Sequence, residues 1–313
     1  MNSAFFNNHD ATPVQYIEYV NHKGDRINLW VKRDDLIDNQ ISGNKWRKLK
    51  YNVKHAVSSG YKGIASFGGA FSNHIAALAA AGQRAKIPTI GFIRGHELDL
   101  DNPTLKLAQQ FGMKLINISR EEYRLRHNKE FLDKLTLTYP GYFFVPEGGS
   151  NDKAEEGLEE LATEISSDNS YDYVASAIGS GGTIRGLMNA LPQQKFIGVA
   201  TVKDTPLLKG LNQEFESQLT LNQEALFGGY AKFNEVLEDF CLDFFSQTAI
   251  PIEPIYTGKL FYALCHQQPL MALSPESKIL AIHTGGLQGL KGLIYRHQIA
   301  SERWQQVISS LAV

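Results

Sequence analysis

The chain is poor in cysteine: Cys241 and Cys265 are the only two in 313 residues. Neither lies in a CxxC pattern, which argues against a disulfide framework or a structural zinc site and suits a reducing compartment. No run of about 18 apolar residues occurs, so no transmembrane helix is expected. The opening "MNSAFFNNHDATP" has neither a basic start nor a long apolar core, so no secretory leader is expected. Charge of either sign is not in excess. Thirty-one Lys and Arg stand against 33 Asp and Glu, a formal net charge of -2, so no global field favours nucleic acid or a membrane surface. Fixed-period repeats and low-complexity tracts are also missing. These absences point to a cytoplasmic protein.

What is present is ordinary for a globular chain: 43% hydrophobic and 20% charged residues. The length suggests two domains or one large α/β domain. Short apolar stretches alternate with helical ones. Strands are expected at 27–33, 63–69, 89–95, 114–119 and 142–149, and helices at 45–60, 73–85, 103–112 and about 121–136. A second series has a strand and turn over 171–182, the helix "TIRGLMNAL", strands at 195–202 and 278–286, and a helix at 234–248. The order predicts parallel sheet with helical crossovers.

Glycine turns follow strands at 68–69, 148–149, 179–182, 258 and 285–286. Ligands of open α/β sheets bind at the carboxyl ends of strands, so these turns point to a ligand site. "AIGSGGTIRG" (177–186) ends a strand and opens a helix, where backbone amides can approach a phosphate. It lacks the GxGxxG spacing, and a smaller phosphorylated cofactor fits better than a dinucleotide; a tight turn with no ligand is the plain alternative. In "SFGGAFSNHIAAL" (66–78), Ser72 is a plausible N-cap, and the first-turn amides there could hold a carboxylate or could be capped with no ligand. His74 alone reads as readily as a structural histidine. Tyr256 and Thr257 precede Gly258, and Thr284 precedes a glycine pair; Tyr256 is either a core aromatic or a ring that stacks on a ligand.

"SGNKWRKL" (42–49) puts Lys45 at a helix start with Arg47 and Lys48 close behind. A lysine forms a Schiff base when burial or neighbouring charge lowers its pKa. Arg47 and Lys48 would do so and would attract an anion. The alternative is a solvated basic helix start, which opposes the helix dipole.

Taken in order, "KRDDL", "SGNKWRKLKY", "SFGGAFSNH", "AIGSGGTIRGL", "EPIYTGK" and "IHTGG" resemble the fold-type II, tryptophan-synthase β-like pyridoxal-phosphate enzymes. Within that group they resemble the D-cysteine desulfhydrase and 1-aminocyclopropane-1-carboxylate deaminase family, from about residue 12 to 286. The resemblance implies a two-domain α/β fold. A small domain, 51–153, would be inserted in a large one of 1–50 and 154–313, with the cofactor between them and closure excluding water. It implies a homodimer acting on a small amino acid with pyridoxal 5'-phosphate. Lys45 would carry the cofactor, and Asn73 would bond its phenolic oxygen. Gly179, Ser180, Gly181, Gly182 and Thr183 would cradle the phosphate, helped by Lys48. Tyr256 would stack near the ring, with Thr257, Thr284 and Gly285 also around the cofactor. Ser72, Asn73 and His74 would hold the substrate carboxylate. Ser72, Tyr230 and Tyr256 would be candidates for proton transfer beside Lys45.

Two positions bear on activity. The cyclopropane deaminases have glutamate after the motif tyrosine and leucine before the final glycine pair; here these are Thr257 and Thr284. That resembles the desulfhydrase side and implies β-elimination of a thiol from D-cysteine. Ring-opening deamination, or deamination or racemisation of another small amino acid, remains an alternative. So do a nicotinamide-dependent oxidoreductase and a non-catalytic amino-acid-binding protein. Two residues depart from the family pattern around the lysine, Ser42 and Trp46, where Gly and Thr are common.

Overall fold

The computed structural model describes residues 2–7, 10–167, 170–267, 271, 273–274 and 276–311. Along the chain, β1 (Val14–Val20) and β2 (Arg26–Lys32) lead to α1 (Asn44–Ser58), β3 (Gly63–Gly69), α2 (Asn73–Ala85), β4 (Thr89–Arg94), α3 (Pro103–Gln110) and β5 (Lys114–Ile118). Next come α4 (Arg120–Arg124), α5 (Lys129–Thr138), β6 (Tyr142–Phe144) and α6 (Asp152–Ser166). Then follow β7 (Tyr173–Ile178), α7 (Gly182–Ala190), β8 (Lys195–Ala200), α8 (Thr205–Glu214) and β9 (Leu219–Asn222). The chain ends with α9 (Glu235–Thr248), α10 (Thr257–His266), β10 (Ile279–Ile282), α11 (Gly289–Tyr295) and α12 (Gln305–Ser310).

Two compact units form. The first comprises Met1–Asp10, Gln40–Gly157 and Gln288–Ala300; the second comprises Ala11–Asn39, Leu158–Leu287 and Ser301–Val313. The expected inserted segment 51–153 falls inside the first unit, but it is not the whole of it. Helix α1 runs unbroken from Asn44 and packs on α2, so residues 44–50, Lys45 among them, group with the first unit and not with the second.

The first unit is built on a wholly parallel four-stranded sheet, in the order β5-β4-β3-β6. Strand β3 is buried almost throughout, as a parallel strand covered on both faces must be. Phe67 and Phe92 stack at 5.2 Å in a core completed by Phe131, Tyr139 and Phe144. Helix α2 is buried on nearly every face, and its alanines keep it slim enough to fit there. The helix expected over 121–136 is divided. Ser119 and Glu122 make a capping box at the start of α4, and the Asn128 side chain accepts from Phe131 N at 3.0 Å to start α5.

The second unit carries six strands in the order β1-β2-β10-β7-β8-β9. All pairs are parallel except β1–β2, so the expected parallel sheet is mixed at one edge. Ile178, Ile184, Leu187, Phe196 and Leu280 lie in its core. The charge cluster at 32–35 is buried and satisfied within this unit. Lys32 pairs with Glu164 at 2.6 Å, Arg33 grips Asp35 through Nε and Nη2 at 2.9 and 2.7 Å, and Thr12 Oγ1 donates to Asp34 at 2.7 Å. Among the described residues, no helix is long and apolar enough to cross a membrane.

Candidate functional site

The candidate residues divide between the units, and each group has its own logic. In the first unit, Gly43 takes φ 63° and ψ -140° at the N-cap of α1, a conformation that suits glycine. It turns the chain so that Asn44 and Lys45 open the helix. No acidic residue lies in that first turn. Lys45 is only partly covered by surface area, yet its ammonium is sufficiently surrounded by protein that burial lowers its pKa to about 8. Its Nζ donates to Asn44 Oδ1 at 3.2 Å. Lys48 is 1% exposed and donates to Ser150 Oγ at 3.0 Å; burial, then the charge of Lys45, pushes its pKa well down. The solvated basic helix start is therefore ruled out. Trp46 packs edge-on against Phe6 at 4.7 Å, so this departure from the family pattern fills an aromatic cluster within the unit.

Ser72 caps α2, its Oγ accepting from Ile75 N at 3.4 Å, and Asn73 is the first helical residue. His74 is held by a residue the sequence reading passed over. Ser66 Oγ lies 2.8 Å from the Val145 carbonyl oxygen and 2.8 Å from His74 Nε2. A hydroxyl has one hydrogen, and the carbonyl can only accept, so Ser66 donates to Val145 and His74 Nε2 donates to Ser66. His74 Nδ1 is then a buried acceptor with no hydrogen-bond partner among the described residues. Burial, then the charges of Lys45 and Lys48, hold the ring at a pKa of about 3, so it stays neutral. A neutral ring whose single N–H is spent on Ser66 has no donor for a carboxylate.

In the second unit, β7 runs into the turn 179–181 and then α7. Gly181 is the N-cap with φ 78°. A Cβ on Gly179 would come 3.0 Å from Tyr256 Cε1, so the missing side chain is what lets the tyrosine ring lie over the turn. Ser180 is exposed and Thr183 buried. The first amides of a helix lack intrahelical acceptors and suit an anion.

Tyr256 caps α10, and its position is set by a second residue the sequence reading passed over. Glu253 is buried, and its carboxylate accepts from Ile255 N at 2.7 Å, Tyr256 N at 2.9 Å and Thr257 N at 2.8 Å. Thr257 Oγ1 also bonds Glu253 Oε1 at 3.1 Å, so this hydroxyl serves the cap. Burial raises the Glu253 pKa to about 7 against the pull of those hydrogen bonds. A glutamate four residues ahead of a threonine at a helix start was the available signal. Tyr230 is exposed, with its ring 6.2 Å from that of Tyr256. At the end of β10, Thr284 is partly exposed, and Gly285, at φ 75°, donates its N–H to His283 Nδ1 at 3.2 Å.

These residues fit pyridoxal phosphate. Lys45 is an amine whose lowered pKa of about 8 brings its neutral form, which addition to an aldehyde requires, within reach near neutral pH. Lys48 is a buried amine whose bonded partner is a neutral hydroxyl, with its charged form disfavoured by burial. The 179–183 turn has the backbone of an anion cradle and an aromatic ring against it.

Comparison with known proteins agrees. Residues 6–285 match the family described as "Pyridoxal-phosphate dependent enzyme". A putative 1-aminocyclopropane-1-carboxylate deaminase of Thermotoga maritima is 31% identical over 302 residues, covering 89% of this chain and 95% of that protein. A mitochondrial bifunctional D-cysteine desulfhydrase/1-aminocyclopropane-1-carboxylate deaminase of Arabidopsis thaliana is 29% identical, covering 91% and 79%. A D-cysteine desulfhydrase of Klebsiella pneumoniae is 28% identical, covering 89% and 92%. Among solved structures, a homologue of 1-aminocyclopropane-1-carboxylate deaminase aligns with a TM-score of 0.75 at 24% identity, over 96% of this chain and 94% of that one. The fold is that of the fold-type II enzymes. With residues 6–285 of the chain matched, the protein belongs to the pyridoxal-phosphate dependent enzyme family.

Proposed function

We propose that the protein is a lyase that removes the β-substituent of a small amino acid, with D-cysteine as substrate and pyruvate, ammonia and sulfide as products. Pyridoxal phosphate, when bound, supplies an electron sink for the pair left at the substrate's α-carbon. The amine of Lys45 binds the cofactor and then, released, takes the proton from that carbon. Its lowered pKa supports both roles, since each needs the neutral amine. Ser72 and Asn73 hold the substrate carboxylate. The Ser72 oxygen accepts from Ile75 N, which leaves the hydroxyl hydrogen for the ligand. The amides of 179–183 and the ammonium of Lys48 hold the phosphate. Tyr256 covers the cofactor ring, and Tyr230 faces the substrate. As the thiolate leaves, a tyrosine hydroxyl protonates it. The released enamine then adds water, giving pyruvate and ammonia. The reading includes a homodimer in the cytoplasm.

One observation carries the choice of a thiol substrate. Positions 257 and 284 are threonines, and the Glu253 carboxylate is taken up by three backbone amides. Nothing acidic at those positions then keeps the cofactor nitrogen protonated, and a milder electron sink suffices for a good leaving group such as thiolate. The second reading, deamination of 1-aminocyclopropane-1-carboxylate, is favoured by the name of the Thermotoga maritima relative.

Pyruvate release from D-cysteine, L-cysteine and 1-aminocyclopropane-1-carboxylate, each supplied alone, separates the readings. D-cysteine should be turned over at least about 100-fold faster than the cyclopropane, a margin that differential binding of a polar side chain can supply. Equal or faster use of the cyclopropane would replace the first reading by the second. A visible cofactor band with no product from any of the three would leave the cofactor and remove both substrates.

A further inference from the structure

Lys259 is the only acidic or basic residue in the stretch "TGKLFYAL" (257–264), and it is fully buried. Its Nζ donates to the backbone carbonyls of Gly229 at 2.6 Å and Leu226 at 2.8 Å, with the Thr201 carbonyl at 3.5 Å. Burial lowers its pKa to about 8, against the opposing charge of Glu253. These carbonyls belong to an unusual turn. Phe227, Gly228, Gly229 and Ala231 have φ of 46°, 94°, 106° and 53°. Two of the four are not glycine, and L-residues hold such angles only where their surroundings enforce them. Tyr230 stands inside this run. Although 55% exposed, it keeps its ring 6.2 Å from that of Tyr256, which caps the same helix that carries Lys259.

We infer that Lys259 is a positioning residue, whose ammonium ties down the 226–231 turn and so keeps Tyr230 beside Tyr256 for the substrate. The inference rests on the proposed substrate-facing role of Tyr230. Helix α10 thus serves both tyrosines: its capped start fixes Tyr256, and the lysine two residues into it fixes the turn bearing Tyr230.

The test uses the holoenzyme. Lys259→Met removes the charge and the donors at nearly constant volume; Lys259→Gln is the milder change should the methionine chain fail to fold. Hydrogen exchange of amides 227–232 should quicken at least about 10-fold while β7 and α9 keep wild-type protection. The KM for D-cysteine should rise about 10-fold with kcat within about 3-fold and the visible cofactor band retained. Tyr230→Ala should raise the KM at least as much, and the KM of the double variant should be no higher than that of Tyr230→Ala alone, because the lysine acts through the tyrosine. Lys259→Arg, which keeps charge and donors, should recover most of the loss. Unchanged exchange in 227–232, or KM effects that multiply in the double variant, would overturn the inference. If the protein turns over no amino acid, the substrate reading fails, while the exchange result still decides whether Lys259 holds the turn.

Discussion

Two lysine-bearing stretches of this chain look alike in sequence and are used in opposite ways. Lys32 and Arg33, in the second unit, are buried against carboxylates: Glu164 for Lys32 and Asp35 for Arg33. Lys45 and Lys48, in the first unit, have hydrogen-bond partners that are neutral oxygens, on Asn44 and Ser150. A buried cation facing a carboxylate is a structural pair. A desolvated amine with neutral partners has its charged form disfavoured, so its pKa falls, and a nearby anion would restore the charge. The contrast separates lysines paired with carboxylates from lysines whose charge burial disfavours.

The comparison can be broken by replacing its members in turn. The largest effect should come from Lys45→Ala. Turnover should fall by about 10⁴-fold or more, as when a covalent catalytic group is lost, with loss of the cofactor's visible band and little change in the apoprotein's thermal midpoint. Next is Lys32→Met, which removes the buried ammonium 2.6 Å from the Glu164 carboxylate. It should cost about 3 kcal/mol in denaturant unfolding. Lys48→Met should behave in the opposite way. The apoprotein should stay within about 1 kcal/mol of wild type or gain stability, while cofactor affinity by equilibrium titration falls about 10-fold, as expected for one lost charge-assisted contact. If Lys48→Met destabilises the apoprotein as much as Lys32→Met, the two clusters are alike and the contrast fails. The smallest effect is in pH. The neutral amine of Lys45 is the form that adds to an aldehyde, so cofactor uptake should quicken as pH rises and level off above about 8, following the lowered pKa. A rise that continues beyond about pH 10 would match an ordinary lysine.

Much of the architecture was legible because period and punctuation agreed. The strand 63–69 and the helix 73–85 have the limits expected from their apolar pattern and Ser72 cap. What escaped had weak or divided signals. Strand β1 leaves Val14, Tyr16 and Val20 at least 40% exposed, so it lacks the continuous apolar run that marks the inner strands. Strand β9 is four residues long, and β6 stops at Phe144 before a short turn of helix at 147–149. In the site, residue types and turns were readable, but hydrogen-bond direction was not. That Ser66 lies against both His74 and the Val145 carbonyl depends on contacts that no spacing encodes, whereas the Glu253 cap of residues 255–257 left a trace in the spacing of Glu253 and Thr257. Lys259 did leave a trace, as a lone charge in an apolar helix stretch.

The most direct test of the central claim is to load the protein with pyridoxal phosphate, reduce it with borohydride and map the pyridoxyl-bearing peptide by mass spectrometry. The label should fall on Lys45, with Lys48 unmodified. A label on Lys48, or on any other lysine in place of Lys45, would contradict the claim.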